Sequence, residues 1–276
     1  MTELEMKKYS RNALLGSFVS MLTAGLATMM YSVSISTIRT DLALTAVQAG
    51  SLGTYTFMGQ MLGGMVAGYL ADRYGRKNIL IVDVILATLA VFATSLLQSY
   101  SIFGILRFIT GVGLGGCYYI ASILIGEFVP TNKRGFMSGV ATSVWNFGYV
   151  VCCAMSAFAL PSIGWRWCFR ICALPIVFVI FMIFGMKDAP SFTAAKANRD
   201  KRDKEEGRKV NAYAEIWSHP RMRKSFIIWS ISMILYFYGY YGLITWLPNY
   251  VQGQVGMQSG GWITAAGYIA MIIGTA

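Results

Sequence analysis

Charge is what this sequence has least of. Only 13% of its 276 residues are Asp, Glu, Lys or Arg, against roughly a quarter in a soluble globular domain. A chain so poor in charge cannot dress the surface of an ordinary water-soluble fold. Histidine is almost missing as well. The one copy, His219, sits beside Pro220 in a polar, basic stretch, where a solvated or interfacial role is expected. Five cysteines are present (Cys117, Cys152, Cys153, Cys168, Cys172), but none has metal or redox spacing. They read as small packing residues, and neither a metal nor a cofactor is expected. The first apolar run is too long for a cleaved signal peptide, and no small-x-small site closes it.

What the sequence has in abundance is apolar length. Seven runs approach the roughly 20 residues that a bilayer core demands of a helix. They lie near 13–38, 47–70, 78–97, 102–126, 136–160, 167–186 and 225–250. An eighth begins at 261 and is still apolar at Ala276, so the sequence reads as a truncated chain. Backbone inside lipid must satisfy its own hydrogen bonds, which leaves helices or closed barrels. The runs are too uniformly apolar for the alternating strands of a barrel. The fold class is therefore an all-α polytopic membrane protein.

The net charge of +11 invites a nucleic-acid reading, but its distribution argues otherwise. Lys7, Lys8 and Arg11 precede the first run. Arg73, Arg76 and Lys77 lie between the second and third, and Lys133 and Arg134 between the fourth and fifth. Eleven more fall in 187–224, which places nineteen of the 23 basic residues on one side. The positive-inside rule then puts the N-terminus in the cytoplasm of a multi-pass protein of the cytoplasmic (inner) membrane. The basic side can also meet anionic lipid, and no basic–aromatic surface remains for nucleic acid once the runs are removed.

Four segments follow. Residues 1–12 are a cytoplasmic N-terminus and 13–186 a six-helix bundle. Residues 187–224 are a charged cytoplasmic linker, and 225–276 begin a second bundle. Within the linker, Lys196–Lys209 is charge-dense and expected to be solvated and mobile. Tyr213–Pro220 is expected to form an interfacial amphipathic helix. Six spans, a linker and a new bundle suggest the two-repeat design of many transporters.

The densest information is in Gly68-Tyr69-Leu70-Ala71-Asp72-Arg73-Tyr74-Gly75-Arg76-Lys77. One acid, three bases and two glycines occupy a tight turn between two spans. The glycines permit bends that a side chain would block, and Asp72 is placed to cap the following helix. A solvated positive-inside loop would explain the bases but not the fixed Gly-x-x-x-Asp-x-x-Gly-Arg-Lys pattern.

That pattern resembles the loop signature of the major facilitator superfamily. Arg107-Phe108-Ile109-Thr110-Gly111-Val112-Gly113 is similar to the family's fourth-helix arginine–glycine motif. Glu127-Phe128-Val129-Pro130-Thr131-Asn132-Lys133-Arg134-Gly135 is similar to its glutamate–proline–arginine–glycine loop. Gly164-Trp165-Arg166 and Tyr240–Pro248 resemble the metabolite:proton symporter branches, which carry aromatic acids, sialic acid, nicotinate and related organic anions. The resemblance covers the whole chain but about half of a full-length member: the first six helices, helix 7 and part of helix 8.

The resemblance implies a secondary carrier of a small organic anion, coupled to protons, working by alternating access and monomeric when full length. It is not expected to be an enzyme. The resemblance makes Gly68, Asp72, Arg73, Gly75, Arg76, Lys77, Glu127 and Arg134 a cytoplasmic gate. A central cavity lined by spans 1, 4, 5 and 7 would draw on Tyr31, Tyr118, Trp145, Asn146, Tyr149, Tyr241 and Trp246, with Tyr119 and Tyr238 as further aromatic candidates. Arg107 is expensive inside a membrane and is expected to meet a substrate anion or a proton-carrying acid, although its shallow position also allows snorkelling to the interface. Asp83, the other charge inside a span, has two readings: it carries a proton, or, the reading put first, it pairs with a basic neighbour in the 73–77 cluster.

The chain departs from the family pattern twice. Span 1 has no acid (Leu22 to Tyr31), and Gly115-Gly116 is followed by Cys117 rather than glutamate, so the resemblance carries no proton-coupling acid into the first half. Span 5 also lacks the glycine–proline motif of antiporters, which favours uptake over efflux. Other readings remain: a sugar or other neutral-metabolite carrier, a non-transporting sensor on the same fold, and an intramembrane enzyme. The last lacks a convergent acid–base set, because no histidine and only Asp83 among acids lies deep in a span.

Overall fold

Every element in the computed structural model, which describes residues 3–188, 192 and 217–275, is a helix. In order they are α1 (Glu3–Asp41), α2 (Ala46–Tyr74), α3 (Arg76–Thr94), α4 (Tyr100–Phe128), α5 (Arg134–Cys172), α6 (Val177–Gly185), α7 (Pro220–Val255) and α8 (Met257–Thr275). Two 3₁₀ turns, Thr131–Lys133 and Leu174–Ile176, lead into α5 and α6. The charged stretch Lys196–Lys209 and the first part of the expected interfacial helix, up to residue 216, lie outside the described residues.

Among the described residues, four helical stretches are long and apolar enough to cross a membrane: Lys8–Asp41, Arg76–Thr94, Tyr100–Phe128 and Thr131–Gly185. The last is 55 residues, too long for one crossing at 1.5 Å per residue. It breaks at Gly164 (φ 77, ψ 166), a backbone conformation that glycine tolerates and other residues do not. The chain turns back there, so the fifth and sixth runs are joined by one residue rather than a loop. The sixth crossing is itself interrupted at Leu174-Pro175-Ile176, where proline lacks the N–H that a continuing helix would use.

Local chemistry sets the other ends. Thr45 and Gln48 form a reciprocal capping box at the start of α2, with Gln48 N–H donating to Thr45 Oγ1 at 3.2 Å and Thr45 N–H to Gln48 Oε1 at 2.9 Å. Tertiary contacts sort the helix ends into two groups. Ser10–Phe128, Asn12–Gly185 and Lys77–Ile183 tie one end together, where the basic residues collect. Asp41–Trp165, Ser51–Tyr100 and Arg170–Ser95 tie the opposite end.

The most extensive packing joins α2 to α4, α1 to α5, α3 to α4 and α8 to α5. Small residues make the first pair possible. A methyl group on Gly59 or Gly63 would overlap the α4 backbone at Phe108 or Val112, and one on Gly111 or Gly115 would overlap the α2 backbone at Thr56 or Gln60. The two backbones are in direct van der Waals contact, as small-xxx-small spacing allows. Outside this seam, Leu62, Met65 and Val66 on α2 and Val177, Ile180 and Phe184 on α6 are exposed, an apolar surface suited to lipid.

Gly63→Val should therefore destabilise the bundle by about 1–3 kcal/mol through overpacking. Gly68→Val should be close to neutral, because a methyl there meets nothing within 4 Å. Thermal unfolding in detergent compares the two, and equal melting temperatures would contradict the close α2–α4 seam.

Candidate functional site

The sequence candidates fall into two groups, one at the basic end and one around the middle of α1. At the basic end, Gly75 both closes α2 and opens α3. Its N–H donates to Ala71 O at 3.1 Å, and its φ of 103 explains why glycine stands there. The α3 N-terminus is capped, but not by Asp72. Asp188, just after α6, lies against Gly75 and accepts the Lys77 N–H at 2.8 Å, putting a carboxylate at the positive end of the helix. Asp72 is in the last turn of α2 and instead faces Arg76, Oδ1 to Nη2 at 3.6 Å.

Arg76 is the hub. Its Nη1 pairs with Glu127 Oε1 of α4, and its guanidinium lies 5.9 Å from the Phe192 ring centroid. Lys77 Nζ donates to Ile183 O at 2.6 Å, satisfying a carbonyl of the last turn of α6. Arg134 Nε donates to Val129 O at 3.0 Å, bracing the 129–134 turn. Arg73 points outward, with Nη1 3.4 Å from Tyr69 Oη and its guanidinium over Tyr74. Thus Asp72, Gly75, Arg76, Lys77 and Glu127, with Asp188, link the ends of α2, α3, α4 and α6. Arg73 and Gly68 stand at the edge of this cluster.

The second group surrounds residues 25–31 of α1. Arg107 is 2% exposed. It turns into the bundle, not toward the interface, because α1 offers it two acceptors. Nη1 donates to Ala27 O at 3.5 Å, and the guanidinium lies 4.3 Å over the Tyr31 ring. Its Nε has no acceptor among the described residues. Tyr31 is fixed by donating its hydroxyl to Ala49 O and by an edge contact to Phe103. A cavity of about 10 Å³, enough for one water, is bounded by Thr28, Tyr31, Ser32, Thr56, Phe57 and Arg107.

On the other side of α1, Tyr118, Trp145, Tyr149 and Tyr268 form a chain of edge-to-face rings with centroid separations of 5.0, 6.3 and 5.0 Å. Tyr268 ends the chain with its hydroxyl 3.8 Å from Met29 Sδ. Asn146, 3% exposed, has its Nδ2 without a partner among the described residues, as has the Trp145 Nε1. These donors lie within a few residues of the aromatic chain. Trp246 is at the opposite end of α7, where its ring comes beside Gly50 of α2. The side chain of Tyr241 lies outside the described residues.

Three features escaped the sequence. Tyr268 gave no signal beyond its apolar run, and Asp188 is 111 residues from the amide it caps. Asp41 accepts from both Trp165 Nε1 at 3.0 Å and Arg166 Nη1 at 2.6 Å. One expectation also fails: Asp83 forms no pair with the 73–77 cluster. It is 6% exposed and turned toward Gly113, Gly116 and Cys117 of α4, because the α3–α4 seam is where its position on the helix points.

A bundle of membrane-length helices, with an inward-facing arginine beside its first helix and a charge cluster tying four helix ends, is the architecture of an α-helical membrane protein. Residues 17–276 match the Major Facilitator Superfamily model, and the chain belongs to that family of transporters. The cis,cis-muconate transport protein of Acinetobacter baylyi is 30% identical over 89% of this chain and 59% of its own length. The niacin transporter NiaP of the same organism is 29% identical over 80% of this chain and 55% of its own. A partially occluded inward-open structure of the xylose transporter XylE from E. coli superposes with a TM-score of 0.73 at 18% identity, covering 96% of this chain and 72% of that one. The chain thus spans little more than half the length of these curated relatives.

Proposed function

We propose that the protein carries a small organic anion across the cytoplasmic membrane by alternating access, with protons as the coupling ion and its N-terminus in the cytoplasm. The observation that carries the anion reading is Arg107. It is a cation buried in the bundle whose Nε has no acceptor among the described residues, and α1 has no acid between Leu22 and Tyr31 to neutralise it. An uncompensated buried charge is costly, and a bound carboxylate would supply both the charge and the missing acceptor. The relatives named for muconate and niacin support an acid as cargo. The aromatic chain from Tyr118 to Tyr149 offers stacking surface for an unsaturated or aromatic one. The Arg76 cluster, with Gly68, Asp72, Arg73, Gly75, Lys77, Glu127 and Arg134, is read as the cytoplasmic gate.

The test is uptake by the full-length protein in liposomes. Labelled muconate or nicotinate should accumulate under an inward proton gradient. Equal uptake with the gradient collapsed would remove proton symport. Uptake of xylose in preference to the acids would remove the anion reading, and no uptake across the panel would favour a sensor.

A further inference from the structure

Asp83 has no place in either group above, and its surroundings are unusual for an acid. It lies seven residues into α3, about 10 Å along the helix from its start at Arg76. It is 6% exposed, and its Oδ2 has no hydrogen-bond donor among the described residues. The facing helix is shaped around it. A methyl on Gly116 would overlap the Asp83 carboxyl, and a methyl on Gly113 would press to 2.7 Å from its carbonyl oxygen. α2 closes the site with Ala67. The titratable group that faces it is the Cys117 thiol of α4, itself fully buried, whose carbonyl accepts from Ser20 of α1 at 2.9 Å. No Lys, Arg or His among the described residues pairs with it.

A carboxylate in such a setting keeps little contact with water, and among the described residues its Oδ2 has gained neither cation nor donor, a costly state for a buried charge. The neutral acid fits without that penalty. We propose that Asp83 is a proton-binding site. With α3 and α4 packed as they are here, its carboxyl carries a proton, and the O–H bond breaks, passing the proton to water, only when the helices part enough to hydrate it. Because α3 starts at the Arg76 cluster, a movement that loosens the cluster also opens the seam over Asp83. The site makes the α3–α4 contact sensitive to pH whatever the carrier moves.

The protonation state can be read directly. The chain is purified into lipid nanodiscs with carboxyl-¹³C aspartate, and infrared difference spectra are recorded against pH. At neutral pH the wild type should show the carbonyl band of a protonated aspartic acid, identified by its isotope shift and lost as pH rises. Asp83→Asn should lack the band. Stability gives a second reading. The folded chain holds a proton that the unfolded chain has released, so wild-type stability should fall as pH rises, and Asp83→Asn should flatten that slope. The absence of an aspartic-acid band at neutral pH in the labelled wild type would overturn the proposal, as would its persistence in Asp83→Asn. If Asp83→Asn does not fold, the labelled double variant Asp200→Asn, Asp203→Asn decides, because Asp41, Asp72 and Asp188 are each paired or hydrogen-bonded, and an aspartic-acid band that survives in it belongs to Asp83. The readout requires no transport, so a carrier that proves uncoupled from protons would leave this result standing.

Discussion

Arg107→Met should weaken binding of an organic anion by one to two orders of magnitude while leaving the bundle as stable as before, or more so. The two halves of this result have separate causes. Hydrogen bonds to a charged partner contribute about 1.5–3 kcal/mol, which is about 10- to 150-fold in affinity. The stability half follows from how poorly the guanidinium is served by the protein: one 3.5 Å bond to Ala27 O, a ring contact with Tyr31 and an unmatched Nε. Replacing an under-satisfied buried charge by an apolar side chain of similar volume is often neutral or stabilising. Arg107→Lys keeps the charge but loses the planar fork, so its affinity should fall between the two. Titration calorimetry on the full-length protein measures the affinities and thermal unfolding the stabilities. A variant that loses stability and keeps affinity would make Arg107 a structural anchor.

The opposite signature is expected of Arg76→Leu: a large loss of stability with no direct loss of substrate contact. Arg76 is the counterion shared by Glu127 and Asp72. Removing one member of a fully buried pair costs about 3–5 kcal/mol. The side chains here are 18% and 14% exposed for Arg76 and Glu127, and solvent screening lowers the figure to about 2–3 kcal/mol. Glu127→Gln should cost less, since an amide still accepts from the guanidinium. A double-mutant cycle between the two positions should give a coupling of about 0.5–3 kcal/mol. No coupling would mean that the pair does not hold α3 to α4. In the full-length protein the gate reading adds that Arg76→Leu shifts the carrier toward the state open to the cytoplasm.

Much of the helical framework was legible because the bilayer imposes length and the translocation machinery imposes charge. The 20-residue runs and the clustering of Lys and Arg needed no tertiary knowledge. Gly75 was legible for a local reason, a tight turn between two charged helix ends. What failed to show were partners distant in sequence. Asp188 is an ordinary acid after an apolar run until α6 is placed beside α3. Asp83 seemed destined for the basic cluster because the cluster is near in sequence. Seven residues of helix rotate and carry it away to Gly113 and Gly116, whose gap acquires meaning only once α3 and α4 are paired. The cost of burying Arg107 was readable, but its direction was not. That depended on the Ala27 carbonyl and the Tyr31 ring lying across the α1–α4 contact. Asn146 was legible as a polar residue in mid-span, but not that its Nδ2 would stand without a partner among the described residues.

The end of the bundle opposite the basic cluster shows little chain to the aqueous phase. At the end opposite the basic cluster, the connections are residues 42–45, 95–99, Gly164 and Gly256, none longer than five residues. A protease, an antibody or a glycan-attaching enzyme approaching that face finds no segment long enough to enter its cleft. For this stretch of chain, proteolytic mapping and epitope insertion should be nearly silent from that face.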